Sequence, residues 1–153
     1  WKGVKLDFSN MVLGVVIAVA LWGVFWVGDK MSQIMFNFAR PQVDLIYGMK
    51  EGESPWLLTA LMLFLIGPAE EIFWRGYVQQ KLQQIWSPNM GFLATTAIYA
   101  LVHAGSCNFM LIMAALVAGA AWGLMYRAFP QKFGAIILSH ALWDVAVFVW
   151  FPI

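Results

Sequence analysis

Two adjacent carboxylates and an arginine, Glu70, Glu71 and Arg75, stand directly behind an apolar run from Trp56 to Ile66. The stretch reads Gly67-Pro68-Ala69-Glu70-Glu71-Ile72-Phe73-Trp74-Arg75-Gly76. It constrains the fold because of what surrounds it. Of the 153 residues, 62% are hydrophobic and 11% are charged, and the mean hydropathy is +0.74. A soluble domain is about half apolar and roughly a quarter charged. The chain is therefore expected to be all-α, a polytopic membrane helix bundle. At about 20 residues per span, its length accommodates about five transmembrane helices. Titratable groups at membrane depth cost several kcal/mol unless they pair or line a wet cavity, and function is their default reading.

Other features exclude whole classes. The net charge of +1, with no basic patch interleaved with aromatics, leaves no nucleic-acid partner and makes membrane lipid the principal surroundings. The single cysteine, Cys107, excludes an internal disulfide and any multi-cysteine metal site. Nine Trp and twelve Phe suit lipid-facing surfaces and interfacial belts. Entry at Trp1 without Met suggests a fragment of a longer protein, so the absence of a targeting segment carries little weight.

In chain order, Lys2 and Lys5 precede a span over about 10–27, with Ser9 placed to cap it and Asp29-Lys30 to end it. Gly14 and Ala18 would let a neighbouring helix approach. Met31, Ile34, Met35 and Phe38 recur on one helix face, which predicts an amphipathic helix at the interface, or a connecting helix on the bundle, stopped by Pro41. Residues 48–55 read as a solvated loop. This N-terminal span and amphipathic connection, 1–55, and a motif-bearing core, 56–153, are expected to form one transmembrane helical domain. Gly67-Pro68 predicts an interruption or kink, with a new helix from Pro68 placing Glu70 and Glu71 in its first turn. A third segment covers about 90–103 and ends at His103. A fourth, about 109–125, carries Ala115, Gly119 and Gly123 on a small-residue face suited to packing. A fifth, about 133–151, carries His140 and Asp144. If the spans alternate, Lys2, Lys5, Lys81 and the Arg127–Lys132 loop share one side, and the positive-inside rule makes it cytoplasmic.

Glu71 and Arg75 are four residues apart, so they can pair on one helix face. Glu70 is turned about 100° from Glu71, free to point elsewhere and act as a general base. The competing reading is a buried ion pair that fixes packing. His140 and Asp144 are also four apart. Asp144 could hold one ring N–H and leave the other nitrogen to a substrate or metal, or the two could simply satisfy each other. His103, alone at a helix end, reads first as an interfacial residue. Together the three segments are more telling. Lipid cannot accept these groups, so the bundle turns them inward to a shared polar cavity able to hold a water. Cys107, in a loop, and Ser139, off the His140 face, are weak nucleophile candidates.

Glu70-Glu71-x-x-x-Arg75, then Tyr99-x-x-x-His103, then His140-x-x-x-Asp144 resemble the three ordered motifs of the CPBP family, the CAAX-protease and bacteriocin-processing intramembrane proteases, also called the Abi family. That family includes the type II CAAX prenyl endopeptidases. The resemblance covers about 56–153. It implies an intramembrane endopeptidase in which Glu70 and His103 activate water, Glu71 and Arg75 position that machinery, and His140 with Asp144 stabilises the oxyanion. It implies a multi-pass protein of a prokaryotic cell membrane, acting on a membrane-associated peptide or protein, a prenylated C-terminus or a leader peptide among them. The family has been described both as metalloproteases and as glutamate-dependent proteases. No His-Glu-x-x-His motif is present, which favours a reaction without a cofactor. The alternative is Zn²⁺ held by Glu70, His103 and His140. Two positions depart from the usual pattern: Tyr99 stands where Phe is usual, and Asp144 where Asn is usual, although Asp occurs in bacterial-type members. An ionised Asp cannot donate as Asn does, so Asp144 would either donate while protonated or orient His140. The rival functions are a non-catalytic membrane immunity or binding protein and a small proton-coupled transporter. The intact first motif opposes the former, and the lack of a repeat of the motif-bearing helices opposes the latter.

Overall fold

A computed structural model describes residues 4–153, so Lys2 lies outside the described residues. Those residues form an all-helical bundle of α1 (Phe8–Met35), α2 (Ala39–Gly48), α3 (Pro55–Ile85), α4 (Pro88–Leu101), α5 (Phe109–Ala128) and α6 (Pro130–Trp150). Four of them, α1, α3, α5 and α6, are long and apolar enough to cross a membrane. The fifth apolar segment, α4, has 14 residues. At 1.5 Å per residue that is about 21 Å, against roughly 30 Å of hydrocarbon.

Several helix starts follow from local chemistry. Ser54, Ser87 and Asn108 each accept the backbone N–H three residues on, capping α3, α4 and α5. At α1 the cap is Asp7, not the expected Ser9. Its carboxylate accepts from the Asn10 backbone and side chain, which hold its pKa below the usual carboxylate range. Ser9 sits inside the first turn, where its hydroxyl accepts from Lys132.

Two proline expectations are corrected. Pro41 does not stop a helix. It lies in the first turn of α2, where the missing N–H has no intrahelical partner to lose. α1 itself runs through Asp29-Lys30 to Met35, and the chain breaks at 36–38 instead. Nor does Pro68 begin a new helix: α3 is continuous over 31 residues. A proline inside a helix clashes with the carbonyl four residues back and removes a hydrogen bond. Here the turn Met62–Ile66 is widened to a π-helix, and Gly67 N–H bonds Met62 O, five residues back. A second π turn, Trp74–Gln79, follows. The Glu70-Glu71 segment, Gly67–Phe73, is thus bracketed by two register shifts, features found often at functional sites.

Neighbouring contacts set the directions. Asn10 accepts from Ala135 N–H, and a Cβ on Gly14 would come within 3.0 Å of Leu138, so α1 and α6 run parallel. Arg75 and Gln79 of α3 donate to the carbonyls of Gly119 and Gly123 of α5, so these two are also parallel. α4 returns between them, with Gly91 against Gln83 and Tyr99 against Gly119. The apolar segments therefore alternate in direction, and Lys5, Lys81 and the Arg127–Lys132 loop share one side. On the other side Arg40 and Lys50 donate to the carbonyls of Ile153 and Phe148. The buried apolar centre is Leu21, Ala118, Trp122, Tyr126, Phe133 and Ile136.

Candidate active site

Gly67 lets the site form. A Cβ there would lie 2.7 Å from the Ala141 Cα, so only glycine allows α3 this close to α6. One turn further along each helix, Glu70 and Glu71 meet His140. Glu71 and Arg75 are fully buried and joined at 3.1 Å. Arg75 also donates to Gly119 O at 2.8 Å. The Glu71 oxygen that accepts from Arg75 also meets His140 Nδ1 at 2.6 Å. His140 Nε2 lies between Glu70 Oε2 at 3.2 Å and Asp144 Oδ2 at 3.4 Å.

The expected pairing of His140 is thereby changed. Asp144 does not leave the second ring nitrogen free, because Glu71 takes Nδ1, and Asp144 shares Nε2 with Glu70. Carboxylate oxygens accept, so each ring nitrogen donates where it meets one. Three carboxylates and Arg75 therefore surround one imidazole. Its face stacks on Trp122 at 3.8 Å between centroids, 9° from parallel. Trp122 in turn donates to Ser139, whose hydroxyl donates to Ile136 O. Ser139 is thus wholly engaged in packing, and Cys107 is exposed in its loop.

His103 falls just beyond the end of α4, not within it. The helix is short, so its end lies level with Glu70, and His103 is not at a membrane edge as its place in the sequence suggests. Tyr99 of α4 donates to Glu70 Oε2 at 3.3 Å, and the Tyr99 carbonyl meets His103 Nδ1 at 2.7 Å. Glu70, His103, His140 and Asp144 line one cavity of about 580 Å³, whose other walls are mostly apolar side chains of α1, α2, α5 and α6. Glu71 and Arg75 lie behind that wall. Among the described residues no three His, Cys, Asp or Glu side chains are gathered to hold a metal ion, so Glu70, His103 and His140 do not form a ready ligand set.

A family model described as type II CAAX prenyl endopeptidase Rce1-like matches residues 52–146. The chain belongs to this family. All six titratable site residues, from Glu70 to Asp144, lie within the matched stretch. Membership places the chain among membrane endopeptidases, in keeping with its multi-pass architecture. No curated protein and no solved structure matches the chain.

Three contributors were not readable from spacing. Trp122 lies far from the motifs in sequence and stacks on His140 only through the α5–α6 crossing. Gly119 belongs to a small-residue face that reads as packing, yet its carbonyl also holds Arg75. The Tyr99 hydroxyl reaches Glu70, 29 residues away, and its replacement of the usual Phe was the one available signal.

Proposed function

We propose that this protein is a glutamate-dependent intramembrane endopeptidase that hydrolyses a peptide bond of a membrane-associated substrate with water activated by Glu70 and His103. The observation that carries the reading is the division of labour between the two glutamates. Glu71 is committed to Arg75 and His140, whereas the Glu70 side chain is 38% exposed and lines the cavity.

The chemistry follows from these positions. A water between Glu70 and His103 gives up a proton to one of them, and its oxygen adds to the peptide carbonyl carbon. The carbonyl π electrons move to oxygen and form the tetrahedral oxyanion. His140 Nε2 is the nearby donor for that charge. Its two present contacts are long, unlike the 2.6 Å bond that fixes Nδ1, so Nε2 can turn its hydrogen to the oxyanion. Glu71 and Asp144 keep the ring oriented and protonated, and Arg75 balances Glu71. The captured proton then passes to the leaving nitrogen as the C–N bond breaks. General-base catalysis of this kind contributes about 10²–10⁴-fold and one oxyanion donor about 10²–10³-fold. No step calls for a metal or other cofactor.

The substrate reading is a peptide with a prenylated C-terminus. The family description and a large apolar cavity beside the cluster support it, the cavity offering a site for an isoprenoid chain. The test is cleavage by purified protein in liposomes of a farnesylated CAAX peptide, the same peptide without the lipid, and a leader-type peptide. Release of the C-terminal tripeptide from the farnesylated form alone is the expected result. Equal cleavage of the lipid-free form would overturn the substrate assignment, and no cleavage of any of the three would overturn the enzymatic one.

A further inference from the structure

We propose that Tyr99 is a positioning residue for the water-activating pair, holding Glu70 through its hydroxyl and His103 through its carbonyl. The inference rests on the endopeptidase reading above and assigns a residue that this reading does not use.

The geometry is specific at both ends. The hydroxyl donates to Glu70 Oε2, the same oxygen that faces His140 Nε2. Both protein donors thus converge on one carboxylate oxygen. Among the described residues none meets Oε1, which leaves that oxygen to take the proton from water. At the other end, a backbone carbonyl can only accept, so His103 Nδ1 carries hydrogen in its 2.7 Å bond to Tyr99 O. In the neutral ring the lone pair is then on Nε2, the nitrogen left for water.

Tyr99 is itself held rigidly. It is 5% exposed. The Trp74 ring meets it edge-on at 5.4 Å, and the Arg75 guanidinium lies 5.0 Å from its centroid. The glycine at 119 leaves it room, since a Cβ there would lie 2.8 Å from Tyr99 Cδ2. A tyrosine that only filled space would need neither the Glu70 bond nor a hydroxyl. Phenylalanine would fill the same slot.

The experiment is steady-state cleavage of the farnesylated peptide by purified protein in liposomes, with thermal unfolding of each variant. Tyr99→Phe keeps the ring and removes the hydroxyl. It is expected to lower kcat by about 10-fold or more, the worth of a hydrogen bond to a charged group, with KM and Tm unchanged. Replacing Tyr99 with 3-fluorotyrosine, which retains the donor, restores kcat. A wild-type kcat in Tyr99→Phe overturns the proposal, and so does a fall in kcat matched by a loss of Tm, which marks a purely structural role. Glu70→Gln is measured alongside. If it still cleaves, the endopeptidase reading fails and takes this inference with it. If it is inactive while Tyr99→Phe runs at full rate, only the inference fails.

Discussion

On the α3–α6 side of the cavity, Glu71, Arg75 and His140 are almost wholly excluded from the surface and partner one another. On the α1–α2 side, buried Asp29 faces Arg40 at 3.5 Å and Lys30 at 3.7 Å. Arg40 is 37% exposed there and pairs at 2.8 Å with exposed Asp44. Both clusters combine carboxylates with an arginine, and both border the same cavity. They differ in how the charge is supported. Arg75 has no solvent to fall back on, so Glu71 depends on it. Arg40 has solvent as well as a second carboxylate. A fixed, dry ion pair can aim a catalytic imidazole, whereas a solvated one can be lost at little cost.

Substitutions can break this contrast, and the largest effect is expected at Arg75. Arg75→Met leaves Glu71 buried beside a lost cation, which typically costs about 3–5 kcal/mol. Thermal unfolding in detergent should show a large drop in Tm or no folded protein. If Tm holds, the dry cluster is not a structural element.

Glu70→Gln comes next and separates the two glutamates. It should reduce kcat by about 10²–10⁴-fold while leaving Tm near wild type, because Glu70 is partly exposed. Glu71→Gln should lower both. Matching behaviour of the two variants would erase the asymmetry on which the assignment of the general base depends.

Gly119→Ala is expected to cost about 1–3 kcal/mol by overpacking against Tyr99, whose Cδ2 lies 2.8 Å from the added Cβ. A shift in Tm of that size, with activity falling as Tyr99 is displaced, would sharpen the link between packing and site geometry. The smallest effect is expected at Asp44→Ala, which removes one exposed partner of Arg40 and should cost about 0.2–1 kcal/mol at most. A larger loss would mean that the α1–α2 cluster is as dependent on its pairs as the α3–α6 cluster.

Much of this arrangement was legible before the structure. The i, i+4 spacings of Glu71 with Arg75 and of His140 with Asp144 announce contacts that any helix makes, and both contacts are present. The apolar composition implies a helical bundle, and it is one. What spacing could not convey was the partner across the bundle. The bond between His140 and Glu71 spans 69 residues and depends on Gly67 letting two helices touch. Local rules also overcalled the prolines. Pro68 reads as a break, yet a π turn absorbs it without ending the helix. Pro41 reads as a stop, yet it falls where a helix tolerates it. The depth of His103 depended on the length of α4, which its apolar run overstated by a few residues.

The central claim is that Glu70 and His103 together activate the attacking water. Single-turnover cleavage of a farnesylated CAAX peptide by purified wild-type protein, Glu70→Gln and His103→Ala in liposomes tests it most directly. The account expects cleavage by the wild type and a rate at least about 10²-fold lower in each variant, with all three folded alike. Cleavage at the wild-type rate in both variants would contradict it.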